Sequence, residues 1–327
     1  MRVDLTWSQA KVRSIKTLTP SVRQFEIVPL DGSVQSWAPG SHINIRVRIG
    51  ERDDVRSYSL VGENDAGCYR IAVKRHAESR GGSAYMWSLQ ESALVSVGAP
   101  NNLFPLALDA PDYLLIAGGI GITPIFGMAK MLARQNAKMR MLYAVRSNQE
   151  LAFAQELREV LGDRLEVFIS SEGQRIDPEV QFAQLAPSAE VYLCGPLPLV
   201  DACRRAWQAQ GRPAAAFRIE TFGSSGAYAP EAFHVRVPRL GIDVLVPQDR
   251  SMLHVLNDAG VDVMFDCRRG ECGLCAIDVL AVEGKIDHRD VFLSDHQKQE
   301  QRKICACVSR AVGGAITIDP AWRSDAL

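Results

Sequence analysis

Three of the chain's eight cysteines, Cys267, Cys272 and Cys275, stand within nine residues in "CRRGECGLC", spaced C-x4-C-x2-C. Two more, Cys305 and Cys307, follow in "KICACVSRA". Thiolates gathered on one loop suit a metal centre. A lone C-x2-C would suit zinc, but C-x4-C-x2-C with a distant fourth cysteine is the plant-type [2Fe–2S] spacing. Such a cluster needs thiolates converging from one loop and backbone N–H donors for its sulfides. Gly270 and Gly273 let the backbone come close. The residues leave the fourth ligand open. Cys305 gives C-x29-C from Cys275, and Cys307 directly precedes "VSR". Cys68 and Cys203 read as packing residues. No two histidines have ligand spacing, so His42, His76, His234, His254, His288 and His296 read as structural or solvated.

A second group of residues suits phosphates. "LLIAGGIGITPI" places Gly118, Gly119 and Gly121 between an apolar run and a helical pattern, the layout that puts an anion on a helix N-terminus. Pro124 stands where the third glycine of G-x-G-x-x-G would be, so the ordinary dinucleotide fingerprint fails. "YLCGP", with Cys194, Gly195 and Pro196, falls at another strand end, where open α/β sheets bind ligands. Nearer the N-terminus, "RSYSL" carries Arg56, Ser57, Tyr58 and Ser59. Arg56 suits a phosphate or an electron-rich ring edge. Tyr58 can cover an isoalloxazine face, and the serines can bond its heteroatoms. Gly81, Gly82 and Ser83 form a second short turn suited to phosphate.

The elements that must position these groups change texture along the chain. Up to about residue 107 the pattern is of short alternating strands ("HINIRV", "RSYSL", "YRIAVKR") bounded by Gly and Pro, which predicts an antiparallel barrel. After Pro111, strands ("YLLIAGG", "MRMLYAVRS", "RLEVFISS", "EVYLCGP") alternate with helices ("ITPIFGMAKMLARQ", "ELAFAQELREVL", "PLVDACRRAWQAQG"), which predicts βαβ units on a parallel sheet. "TFGSSGAYAPEA" reads as a linker. Beyond it come a hairpin ("FHVRV", "IDVLVP"), a helix ("SMLHVLNDAG"), the cysteine loop and two late strands. The expected division is 1–107, 108–224, a linker 225–234, and 235–327.

With 327 residues, 47% of them hydrophobic, a normal core can form and the cysteines are not needed as staples. A formal net charge of -1 argues against nucleic acid as the main partner. No secretory h-region and no run of about twenty apolar residues is present, so the expected place is the reducing cytoplasm, without a membrane.

In order, Arg-x-Tyr-Ser, Gly-Gly-Ser, "GGIGITP", "CGP", "ETFG" and the cysteine loop resemble the phthalate dioxygenase reductase family, over nearly the whole chain. The resemblance implies an FMN-binding β-barrel, an α/β nucleotide domain of the ferredoxin-reductase type and an α+β, β-grasp plant-type ferredoxin domain. Carried over by motif, FMN meets Arg56, Ser57, Val73, Lys74, Arg75, Gly81, Gly82, Ser83 and Ala84, with Thr123 and Phe222 closing from the other side. The nucleotide meets Gly119, Gly121, Thr123, Cys194, Gly195 and Pro196. Ser57, Thr123 and Cys194 bear on the transfer itself. In related reductases the fourth ligand directly precedes "VSR", which points to Cys307 beside Cys267, Cys272 and Cys275.

The implied function is NADH-dependent electron transfer. A nicotinamide gives two electrons together and a [2Fe–2S] cluster takes one, so a flavin must stand between them. The resemblance also implies a Rieske-type oxygenase as partner and a monomeric reductase. The chain has no Rieske motif or facial triad of its own, so substrate oxidation occurs elsewhere. Rival readings are a donor to a cytochrome P450 or a diiron monooxygenase, and a zinc-stabilised binding module.

Overall fold

The computed structural model describes residues 6–64, 67–75, 81–222 and 226–320. His76 lies outside these. The chain divides into two compact units, Arg2–Glu220 and Thr221–Leu327.

The first unit begins with β1 (Trp7–Thr19), β2 (Val22–Pro29), β3 (Ser41–Ile49), β4 (Arg52–Ser59) and β5 (Tyr69–Lys74). Helix α1 (Gly82–Ser88), β6 (Leu94–Gly98) and β7 (Asn101–Asn102) complete the barrel. The sheet runs β4-β3-β6-β1-β2-β5, with β7 beside β3. An antiparallel bridge between Leu60 and Ile71 brings its two ends together. Alternation explains the barrel: Ile43, Ile45 and Val47 point inward from β3, against Phe25, Ile27, Val95 and Val97.

The same unit continues with a parallel sheet. Its elements are β8 (Tyr113–Gly118), α2 (Ile122–Arg134), β9 (Met139–Val145), α3 (Ala154–Leu161), β10 (Leu165–Ile169), α4 (Pro178–Ala183), β11 (Glu190–Cys194), α5 (Leu197–Ala209) and β12 (Phe217–Glu220). The order β10-β9-β8-β11-β12 reverses direction at β8, so the crevice at its carboxyl end lies between β8 and β11. β8 is buried along its whole length, as a strand covered on both faces must be. "ELAFAQELREVL" is helical only from Ala154. The backbone at Phe153 turns left-handed (φ 60°), which sets its ring 4.9 Å from that of Phe126. Packing against α2 overrides the helical pattern upstream.

The second unit opens with the antiparallel hairpin β13 (Phe233–Val237) and β14 (Ile242–Val246), then α6 (Met252–Asp258). The cysteine loop follows. Beyond it lie β15 (Ala276–Val282), β16 (Lys285–Asp287), α7 (Asp295–Glu300), β17 (Lys303–Cys305), β18 (Arg310–Val312) and β19 (Ala315–Asp319). The expected two late strands are therefore five. Three of them are only three residues long, too short for alternation to show. The sheet order is β14-β13-β19-β15-β17, with β13 and β19 parallel and α6 packed on its face through Leu253 and Leu256. This mixed sheet gripping a helix is the β-grasp form.

Trp207 ties α5 to β12. It is buried, stacks on Phe217 at 5.5 Å, meets Phe182 edge-on at 5.3 Å and donates its Nε1–H to the Pro213 carbonyl at 2.9 Å. Trp207→Ala should cost about 3–5 kcal/mol of stability, measured by urea unfolding followed by circular dichroism. A loss under about 1 kcal/mol would contradict this packing account.

Candidate functional site

In the cysteine loop, the Cys267 sulfur accepts the N–H groups of Arg269 and Cys272, each at 3.4 Å. Cys267, Cys275 and Cys307 are buried and Cys272 is exposed. The Cys275 and Cys307 sulfurs lie 3.1 Å apart. The Ala306 amide bonds to the Cys275 carbonyl at 3.0 Å and fixes the second strand of ligands against the first. Gly273 has φ +74°, and a Cβ there would lie 2.2 Å from the Phe292 ring, so the loop needs glycine at this turn. The Cys305 and Cys307 thiols hold the Cys275 thiol down to about 4, while Cys275 and burial push Cys305 and Cys307 up. Buried sulfurs with amides aimed at them are what an iron–sulfur cluster requires.

Cys305 and Cys307 face different surroundings. Cys305 is fully buried on β17 opposite Ala276. Cys307 is buried with its sulfur against that of Cys275.

At the nucleotide crevice, β8 and β11 end side by side, with Cys194 opposite Ala117. Their loops pack backbone on backbone. A Cβ on Gly121 would sit 2.1 Å from the Cys194 carbonyl oxygen, although its φ of -60° is ordinary. Glycine is required here by space alone. Thr123 Oγ1 donates to the Ile120 carbonyl at 3.0 Å and holds the turn that opens α2. Cys194 is buried, Gly195 half-buried and Pro196 exposed. Gly119 faces open space, and the α2 and α5 first turns carry no acidic residue. Neither helix N-terminus therefore carries an acidic charge that would repel an anion.

In the barrel, Arg56, Ser57, Tyr58 and Ser59 lie on β4, and Val73 and Lys74 end β5. Ser57 donates to Asn44 Oδ1 at 2.6 Å. Burial pushes the Tyr58 phenol well above its usual range, so it stays neutral. Gly81 caps α1, whose first residues are Gly82, Ser83 and Ala84, with no acidic side chain in that turn. The Arg56 side chain packs on Gly82, bringing its guanidinium beside the helix start and also 2.7 Å from Asp54. A cation beside an uncharged helix N-terminus fits a flavin phosphate. Lys74 pairs with Glu150 at 3.2 Å, and Arg75 lies 5.6 Å from the Trp87 ring. Phe222 lies in the second unit and is half-buried.

The sequence reading missed Glu220. It ends β12, pairs in register with Cys194, is fully buried and accepts the Ser59 hydroxyl at 3.1 Å. It joins the flavin motif to the nucleotide crevice. The only signal in the sequence was the Glu of "ETFG".

A barrel, a switch-point crevice and a cysteine-rich β-grasp define a modular flavin- and nucleotide-dependent iron–sulfur reductase. Residues 235–312 match the 2Fe-2S iron-sulfur cluster binding domain, and residues 115–205 match the oxidoreductase NAD-binding domain. The first match replaces the zinc-module reading. The chain is 33% identical to phthalate dioxygenase reductase of Burkholderia cepacia, covering 94% of this chain and 96% of that one. A solved structure of phthalate dioxygenase reductase, described as modular for electron transfer from pyridine nucleotides to [2Fe–2S], matches with TM-score 0.77, 31% identity and 96% and 98% coverage. The chain is also 34% identical, over 96% of its length and 99% of the relative's, to the heme-dependent oxidative N-demethylase beta subunit of Ectopseudomonas mendocina. It belongs to the phthalate dioxygenase reductase family. It is an oxidoreductase with an NAD-binding domain and a [2Fe–2S] cluster binding domain.

Gly121→Ala should force the two strand-end loops apart. Overpacking of about 1–3 kcal/mol predicts a rise of about tenfold in the NADH KM, with FMN content retained. An unchanged KM would contradict the close backbone approach.

Proposed function

We propose that this chain is the reductase component of a two-component Rieske non-haem iron oxygenase and that it works as a monomer in the cytoplasm. The supporting observation is the presence in one chain of three sites matched to a nicotinamide, a flavin and a cluster. When bound, FMN would supply the conversion between the nicotinamide's two-electron chemistry and the one-electron chemistry of the cluster, from which the oxygenase would draw. This chain's residues bind and orient. We assign residues 1–107 to the flavin barrel, 108–224 to the nucleotide domain, 225–234 to a linker and 235–327 to the ferredoxin domain. Gly119, Gly121, Thr123, Cys194, Gly195 and Pro196 hold the nucleotide. Arg56 with Gly81, Gly82, Ser83 and Ala84 holds the flavin phosphate. Ser57, Tyr58, Ser59, Val73, Lys74 and Arg75 line the flavin, and Thr123 completes its site. Ser57, Thr123 and Cys194 position the reacting rings.

A specific observation favours one second reading. The N-demethylase relative is named as heme-dependent, so a haem oxygenase is the alternative acceptor. Purified candidate oxygenases turned over with this protein and NADH distinguish the two. Turnover with a haem partner and with no Rieske partner would overturn the first reading.

Cys307 is assigned as the fourth cluster ligand. Its sulfur lies 3.1 Å from that of Cys275, which supports this, because a ligand must reach the loop that carries the other three. Cys307→Ser should remove or degrade the cluster's visible absorbance and leave FMN in place. Loss of the cluster in Cys305→Ser but not in Cys307→Ser would reverse the assignment.

NADH is preferred over NADPH. Arg146, just past β9, is what a 2′-phosphate would choose in a Rossmann site, but it is exposed, and this crevice lacks that fingerprint. An exposed contact is worth about 1 kcal/mol or less, under tenfold. The kcat/KM for NADH should exceed that for NADPH at one ionic strength. The opposite order, reversed again by Arg146→Asp, would show that Arg146 decides.

A further inference from the structure

Behind the cysteine loop lies a buried carboxylate that nucleotide and flavin binding leave unused. Asp290 is fully buried. Its Oδ1 accepts the Ser309 hydroxyl at 3.0 Å, and its Oδ2 accepts the Leu293 amide at 2.9 Å. Ser309 stands two residues after Cys307. On the other side, a Cβ built on Gly270 would lie 2.9 Å from the Asp290 Cα, and the Val291 amide donates to the Gly270 carbonyl at 3.0 Å. Gly270 lies between ligands Cys267 and Cys272, so Asp290 packs against both strands of ligands.

Among the charged groups around it, His288 approaches the carboxylate itself, while Arg289 and Lys298 bond elsewhere. Arg289 is engaged by Asp287, at 2.6 Å. His288 Nδ1 is 3.5 Å from Asp290 Oδ1, and neither ring nitrogen has a hydrogen-bond partner among the described residues. Lys298 donates to the Asp290 backbone carbonyl at 2.7 Å, not to its carboxylate. Burial, which would raise the Asp290 carboxyl, is outweighed by His288, the Leu293 amide and Lys298, so it sits below its usual range.

We infer that Asp290 is a potential-setting residue: its buried negative charge, fixed beside the ligand loop, lowers the reduction potential of the [2Fe–2S] cluster, and Lys298 opposes it. Adding an electron beside a buried anion is unfavourable, and full burial of Asp290 limits its screening by solvent. Net charge and hydrogen bonding around the sulfurs are established levers on cluster potential. Asp290→Asn keeps the shape and removes the charge. Lys298→Met removes a positive charge from the same place.

The inference rests on the cysteine loop holding the cluster, and the test separates the two. The full-length holoprotein is titrated electrochemically while the EPR signal of the reduced cluster is followed. Asp290→Asn should shift the midpoint to more positive values, and Lys298→Met should shift it to more negative values. A merely structural role would loosen the loop in both variants and move both in one direction. Unmoved midpoints, or shifts of the same sign, overturn the inference while the signal itself leaves the cluster reading intact. If Asp290→Asn fails to hold a cluster, Lys298→Met decides alone, with a negative shift required. No cluster signal in the unsubstituted protein would instead sink the reading beneath it.

Discussion

A nicotinamide surrenders electrons in pairs, and an iron–sulfur cluster takes them singly. That mismatch governs the whole chain. It demands three binding surfaces of different chemistry, and each calls for a different fold. A flavin needs a rigid barrel wall with a cation and a helix start for its phosphate. A dinucleotide needs two helix N-termini at a sheet's switch point. A cluster needs thiolates from a tight loop backed by a second strand. None of these jobs requires a nucleophile or a general base.

Close backbone approach serves two of the three sites. At the crevice, Gly121 lies on the Cys194 carbonyl with no space for a side chain. At the cluster loop, Gly273 turns left-handed beneath Phe292. In both, the residues that bear on the bound group are presented by main chain rather than by side-chain networks. Positioning of this kind loses little on binding, because the backbone is already ordered.

What the sequence disclosed and what it hid divide along physical lines. The cysteine spacing, the glycine turns and the βαβ alternation are local patterns, so they were legible. β8 is buried throughout, and its apolar run announced it. Glu220 escaped notice because its partner Ser59 is 161 residues away, and only strand pairing and tertiary packing bring them together. The short strands β16, β17 and β18 carry too few residues for a period to appear. The start of α3 depended on the contact of Phe153 with Phe126, which no local propensity encodes. Spacing alone could not separate Cys305 from Cys307.

The most direct test of the electron path is an anaerobic titration of the purified holoprotein with NADH, followed by visible and EPR spectroscopy together. The path predicts that flavin absorbance bleaches and that the EPR signal of a reduced [2Fe–2S] cluster rises in the same titration, reaching one spin from the cluster per chain at completion. Bleaching of the flavin with no cluster signal would contradict it.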